Sequence, residues 1–230
     1  MKVSDVIDRA RIMLNDTDAA GYRWSDAELI SYINDAELTI SVVRQDASPG
    51  TSVVTLVAGT KQSVPADALR LQDVPRNIGS DGSTPGRSIR ITDRELLDLF
   101  EPGWHNATKK SEVRHFLYDE MNPYEFFVYP PVNAGVKVEV RFSKRPAQHT
   151  LKTEDLVLND AFFEAILNYT MYRSYMKDAE FSGNSDLAAQ YLQTTSSLLG
   201  VKLSKDIAYS PRVRRDGGTP EASAQIGGVA

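Results

Sequence analysis

Three histidines, scattered carboxylate pairs and no cysteine are the side chains from which this 230-residue chain would have to build a reactive site. His105, His115 and His149 lie far apart, and none belongs to a His-Glu-x-x-His run or another ligand-spaced pair, so zinc chemistry has no anchor. The absence of cysteine removes thiolate nucleophiles and disulfides together. No Gly-x-Ser-x-Gly elbow is present. The loop 79–86 carries three glycines but lacks the Gly-Lys-Ser/Thr ending and the strong following helix of a phosphate cradle, so it reads as a mobile loop. Segment 16–27 sets Asp16, Asp18 and Gly21 at the first, third and sixth places of a calcium loop, yet Ala20 and Ala27 stand where two oxygen ligands belong. Glu154-Asp155 and Asp93/Glu95 are local pairs near expected helix starts, where the helix dipole favours negative charge without any acid–base role. Tyr169, Tyr172 and Tyr175 repeat every three residues, which suits a stacking surface for bases, a helix-packing face or a subunit contact. No cofactor, metal or catalytic group follows from any of these, and the expected protein is not an enzyme.

The elements behind these residues change period twice. Ser4 is placed to cap a first helix with Val6, Ile7, Ala10 and Leu14 on one face. Ser25 and Glu28 form a capping box that opens a second helix, carried by Leu29, Ile33, Ala36 and Ile40 and ended at 48–50. From Thr51 the period is two: short strands flank Ala58-Gly59-Thr60, another spans 69–78 with Pro75 breaking or edging it, and 87–92 returns as a strand. One or two helical turns follow at 93–100, capped by Thr92 or Asp93 and stopped by Pro102-Gly103. Three strands near 112–120, 124–130 and 136–146 then read as an antiparallel meander with turns at 121–123 and 131–135. Helical period resumes near Asn159, and a last helix, capped at Asn184 or Ser185, ends at Gly200 as an αL cap. The fold class is therefore α+β. Helical pairs at 1–48 and 155–200 pack together as a four-helix layer, an antiparallel β domain at 51–146 is inserted between them, and 201–230 is an extended arm that is disordered when free.

Within the β region, "YEFFVYPPV" at 124–132 raises its own question. Alternation puts Tyr124, Phe126 and Val128 on one face and Glu125, Phe127 and Tyr129 on the other, so the strand is apolar on both faces. That suits a sheet covered once by its own core and again by another subunit or partner. Pro130 and Pro131 are expected to end the ladder at a defined edge. Phe127, Tyr129, Pro130 and Pro131, with Tyr172 and Tyr175, are thus the expected subunit or partner contacts.

Charge disfavours a general nucleic-acid binder. The chain is −5 in all, made of −7 over residues 1–200 and +2 over 201–230. No apolar run approaches the ~20 residues of a membrane span, and the N-terminus lacks the apolar centre of a signal peptide; a soluble protein made in the cytoplasm is expected.

Several stretches together resemble a known family. "VSDVIDRARIMLND" with "RWSDAELISYINDAE", then "LVAGTKQSVPADALRLQDVPRNIGSDG", "TPGRSIR", "WHNAT", "FFVYPPV" and "YRSYMKDAEFSGN", occur in the order seen in phage head-to-tail adaptors, similar to the tail tubular protein A of short-tailed phages. The likeness covers about residues 1–200. It implies a structural virion protein at the head–tail junction, assembled as a ring, usually of twelve copies, beneath the portal protein. The ring would join the portal to the tail nozzle protein and surround a channel through which DNA passes without specific binding. It also implies that a C-terminal arm reaches the portal. Tyr209, Pro211, Arg212, Val213, Arg214 and Arg215 are the segment with docking character there, and the acidic body would line the channel. Another tail-completion factor, or a module binding carbohydrate or peptide through Trp104, Tyr118, Phe127 and Tyr129, are the competing readings.

Overall fold

A computed structural model describes residues 1–119, 121–177 and 182–209. It contains two hydrophobic cores, one helical and one β.

Helices α1 (Val3–Met13) and α2 (Asp26–Val43) precede the β region, and α4 (Phe163–Lys177) and α5 (Ser182–Tyr209) follow it. Val6, Ile7 and Ala10 of α1, Leu29, Ile33, Ala36 and Ile40 of α2, Ile166, Leu167 and Met171 of α4, and Leu199 of α5 share one buried cluster. Helix α4 is the centre of this packing, since it touches α1, α2 and α5. The apolar spacing that marked these helices in the sequence is thus the spacing of the faces they bury.

Local details of the helix ends differ from expectation. Helix α1 starts one residue before Ser4, and the Asp5 carboxylate caps it by accepting from the Lys2 backbone N–H at 2.7 Å. Ser25 caps α2 as expected, accepting from the Glu28 N–H. The Glu28 carboxylate takes the Lys177 ammonium and the Tyr32 hydroxyl as well as a backbone bond from Ser25, so the box is joined to a tertiary ion pair. Helix α2 stops at Val43, short of 48–50, and Arg44 turns inward. The buried Arg44 guanidinium bonds Asp46 twice and donates to the Leu199 carbonyl at 3.2 Å, fastening α2 to α5. Gly200 is not a cap, because α5 continues through it to Tyr209. An αL exit at glycine is a local option, and the helix runs on where the neighbouring residues supply helical propensity. The remainder of the expected arm, 210–230, lies outside the described residues.

The β region is a sandwich of two four-stranded sheets. Strands β1 (Pro49–Thr55), β8 (Lys137–Lys144), β3 (Ala68–Ile78) and β4 (Pro85–Ser88) form one sheet in that order. Strands β2 (Gly59–Ser63), β7 (Glu125–Val132), β6 (His115–Tyr118) and β5 (Arg90–Ile91) form the other. Inward residues of both, among them Leu71, Val138, Val140 and Phe142 against Phe116, Phe126 and Val128, make the second core.

Two expectations fail here for the same reason. The strands at 112–146 are not a three-strand meander: β6 and β7 pair, but β8 crosses to the opposite sheet and pairs with β1 and β3. Nor is the domain wholly antiparallel, since β5 runs parallel to β6. A turn such as 133–135, where Gly135 has φ of 91°, fits a hairpin and a sheet-to-sheet connection equally well, so sequence period alone does not choose. Loop 79–86 is also more closed than expected. The Asp81 carboxylate accepts from the backbone and hydroxyl groups of Ser83 and Thr84, which holds its pKa far below the usual range.

The chain returning from β8 to α4 is fixed by a buried ionic clamp that the sequence did not announce. The Nε2 of His149 lies 3.0 Å from Glu37, which is wholly buried, and its Nδ1 lies 3.1 Å from Glu154. Carboxylates only accept, so both ring nitrogens must donate and the ring is an imidazolium. The Glu37 bond and, after it, the Glu154 bond raise the His149 pKa above 6.5, against desolvation. A raised folded-state pKa gives stability that is complete below 6.5 and is lost as pH rises through the folded value. Thermal midpoints of the wild-type protein should therefore fall as pH is raised from 6.5 into the alkaline range, and His149→Gln should flatten that slope. An unchanged slope in the variant would contradict the clamp.

Candidate functional site

The outer face of β7 is where the sequence placed a partner, and its geometry is specific. Phe126 and Val128 enter the sandwich core, while Phe127 and Tyr129 point away from it and are half-buried. What covers them is the chain's own segment after β5. Asp93 caps α3 (Arg94–Phe100) through the Glu95 N–H, and a 3-10 turn follows at Trp104–Asn106. Trp104, 1% exposed, meets Phe127 and Tyr129 edge-on at 6.1 and 6.5 Å and stacks on His105 at 3.7 Å. His105 Nδ1 is in turn 2.9 Å from the Thr60 hydroxyl. The Tyr129 hydroxyl donates to the Glu101 carboxylate, which raises the tyrosine pKa. Tyr129→Phe should cost about 1.5–3 kcal/mol, the usual worth of a bond to a charged acceptor. Chemical denaturation checks this; no loss would mean the bond contributes nothing.

The remaining expected contacts are also engaged within the chain. Pro130 and Pro131 are buried inside β7 and do not end it. Proline lacks a donor but keeps its carbonyl: Lys110 N–H bonds the Pro131 carbonyl and Arg114 N–H that of Tyr129, while Val132 still pairs with Gly59. Tyr172 meets Tyr169 of its own helix edge-on, and Tyr175 stacks on Tyr191 of α5 at 5.6 Å and packs on the helical core. Tyr209 is the last residue of α5, and Pro211, Arg212, Val213, Arg214 and Arg215 lie outside the described residues.

The surface that does stand bare is α3 itself. Leu96, Leu99 and Phe100, at i, i+3 and i+4, form one apolar stripe that is 51, 74 and 76% exposed, and no residue of α3 is buried. The helix is tethered through its polar side, with Leu97 its one half-buried residue. Its Asp98 accepts from the Trp104 indole N–H at 2.7 Å and lies 3.5 Å from Arg94. Exposed Ile91 just before α3 extends the apolar patch. Sequence reasoning found this helix but missed its orientation, because an i, i+3, i+4 stripe ordinarily faces a core.

The negative charge of the body is unevenly shared. Residues 1–48 and 147–200 carry 8 Lys and Arg against 16 Asp and Glu, whereas residues 49–146 carry 13 against 12. The acidity therefore belongs to the helical part. No helix among the described residues is long and apolar enough to cross a membrane.

A helix that offers an exposed apolar stripe is a feature of surfaces that other proteins cover. The chain belongs to the SU10 adaptor protein family, whose family model matches residues 1–216, so it is a bacteriophage adaptor, a virion structural protein that interacts with portal and tail components. A comparison with curated proteins gave no match.

Proposed function

We propose that this protein is a non-catalytic head-to-tail adaptor that forms a ring of twelve copies beneath the portal, joins it to the tail nozzle and encloses the DNA channel. The observation that carries this reading is the outward stripe Leu96, Leu99 and Phe100 on a helix that buries nothing of its own. Exposed apolar area held in place by specific hydrogen bonds, rather than allowed to fold inward, is characteristic of a surface that another protein covers. In this reading α3 contacts a neighbouring copy or the nozzle. The N- and C-terminal helix pairs form one layer, and their excess of carboxylates faces the channel, so that DNA slides past without specific binding. The basic segment 209–215 reaches the portal, as in the tail tubular protein A of short-tailed phages.

Family membership supports the class of this assignment, and the stripe supports a protein contact in it. Sedimentation of the purified chain mixed with its portal tests the reading. Co-sedimentation at a fixed stoichiometry is expected, and a chain that stays monomeric in the presence of portal would overturn it.

A further inference from the structure

Five of the thirteen basic side chains of the β domain are matched to carboxylates. Lys61, Arg76, Arg94, Arg141 and Lys144 each lie 2.7–3.7 Å from a carboxylate. Of the rest, Lys137 donates to the Ser80 carbonyl and Arg145 stands exposed without an ion pair, while five more exposed side chains without one among the described residues occur together. The Arg90 N–H bonds the Arg114 carbonyl, and Asn77 bonds the carbonyls of both Arg87 and Val113. Lys110 and Arg114 attach to the Pro131 and Tyr129 carbonyls, two residues apart along β7, and Lys109 adjoins Lys110. These backbone bonds gather Arg87, Arg90, Lys109, Lys110 and Arg114 at one border of the sandwich. His115, in register with Arg90, reports their field: burial first, then Arg90, Arg114 and Arg87, lower its pKa, and its buried Nδ1 has no hydrogen-bond partner. A neutral imidazole adds no charge of its own to this cationic border.

We propose that Arg87, Arg90, Lys109, Lys110 and Arg114 form a sequence-independent binding site for the phosphate backbone of duplex DNA. The chemistry of the border favours phosphate over an acidic protein face. Between the five lie the hydroxyls of Ser88 and Ser111 and one exposed carboxylate, Glu112, which leaves an excess of four positive charges, and Arg, Lys and Ser are residues that hold phosphate oxygens. Protein interfaces, though enriched in arginine, are depleted in lysine and serine and centred on aromatic and apolar anchors, which this chain displays separately on α3. The choice of duplex DNA as the polyanion rests on the adaptor reading, in which every copy surrounds the DNA path. The contact is a salt-dependent grip on passing phosphates, distinct from the repulsion that the acidic helices exert.

Fluorescence anisotropy of the full chain with a 30-base-pair duplex of arbitrary sequence tests the site. Five phosphates neutralised give a log–log salt slope of about −4.5, or ~500-fold weaker binding between 50 and 200 mM salt. The variant R87Q/R90Q/R114Q should fold unchanged by circular dichroism and flatten the slope to about −1.8, a ~12-fold change over the same range. The variant R212Q/R214Q/R215Q should leave the slope as it is. Absence of binding at 50 mM salt, or loss of slope with the tail variant and not with the border variant, would overturn the site. Competition by poly-glutamate as strong as by DNA of equal charge would overturn the choice of DNA in favour of an acidic protein. Because this assay contains no portal, its failure leaves ring assembly untouched, and failure of the ring leaves its result standing.

Discussion

Aspartate at both Leu99 and Phe100 should abolish co-assembly with portal or tail components while leaving the monomer as stable as before. Both side chains are about three-quarters exposed and α3 contributes nothing to either core, so folding has little to lose. Exposed substitutions of this kind ordinarily change stability by less than about 0.5 kcal/mol. Assembly, by contrast, would have to bury two charges where apolar contacts form. Even partial desolvation of an unpaired carboxylate costs several kcal/mol, and one such cost repeated at every subunit contact is enough to empty a ring. The check is sedimentation with portal beside a thermal melt. Assembly at wild-type levels, or a collapsed melting temperature, would each remove α3 from the role assigned to it. The second result would mean that the stripe is a part of the fold after all.

The largest effect on stability is expected at Glu37. Its carboxylate accepts from the Val157 and Leu158 backbone N–H groups at 2.9 and 3.1 Å and from the His149 ring at 3.0 Å, with no exposure to solvent. Glu37→Ala leaves the buried Leu158 N–H and the partly buried Val157 N–H unpaired and an imidazolium without its nearer counter-charge. Removing one partner of a buried pair costs about 3–5 kcal/mol, which for a chain of this size lowers the melting temperature by on the order of 10 °C. The loss should fall at the junction of the two cores, because the clamp joins α2 to the chain that leaves β8. Hydrogen exchange should therefore quicken at 149–158 first. Protection unchanged in that segment would show that the returning chain is held by something else.

The readable parts of the sequence were those with local causes. Periodicity at Leu29, Ile33, Ala36 and Ile40 marked a buried helix face, and Ser25 and Asp93 marked helix starts, because caps and stripes are decided within a few residues. Alternation at Phe126 and Val128 against Phe127 and Tyr129 assigned the two faces of β7 correctly. What lies over the outer face was not legible, since Trp104 comes from a segment some twenty residues away and either a subunit or the chain itself satisfies the same pattern. Strand pairing failed for a similar reason. Turn residues at 133–135 say that the chain reverses, and long-range packing decides that β8 joins the other sheet. Buried ionic groups such as His149 and Glu37 looked unremarkable because their partners lie more than a hundred residues apart. The candidate surfaces depended on subtraction. The α3 stripe became visible only when the other apolar side chains had been matched to cores, and the border of arginines and lysines only when backbone bonds brought residues 87–90 beside 109–114.

Cryo-electron microscopy of the purified protein mixed with its portal tests the central claim most directly. The account predicts a closed ring stacked on one face of the portal, with α3 buried against a neighbouring protein. A portal without an attached ring, or a ring in which Leu96, Leu99 and Phe100 remain bare on the finished particle, would contradict it.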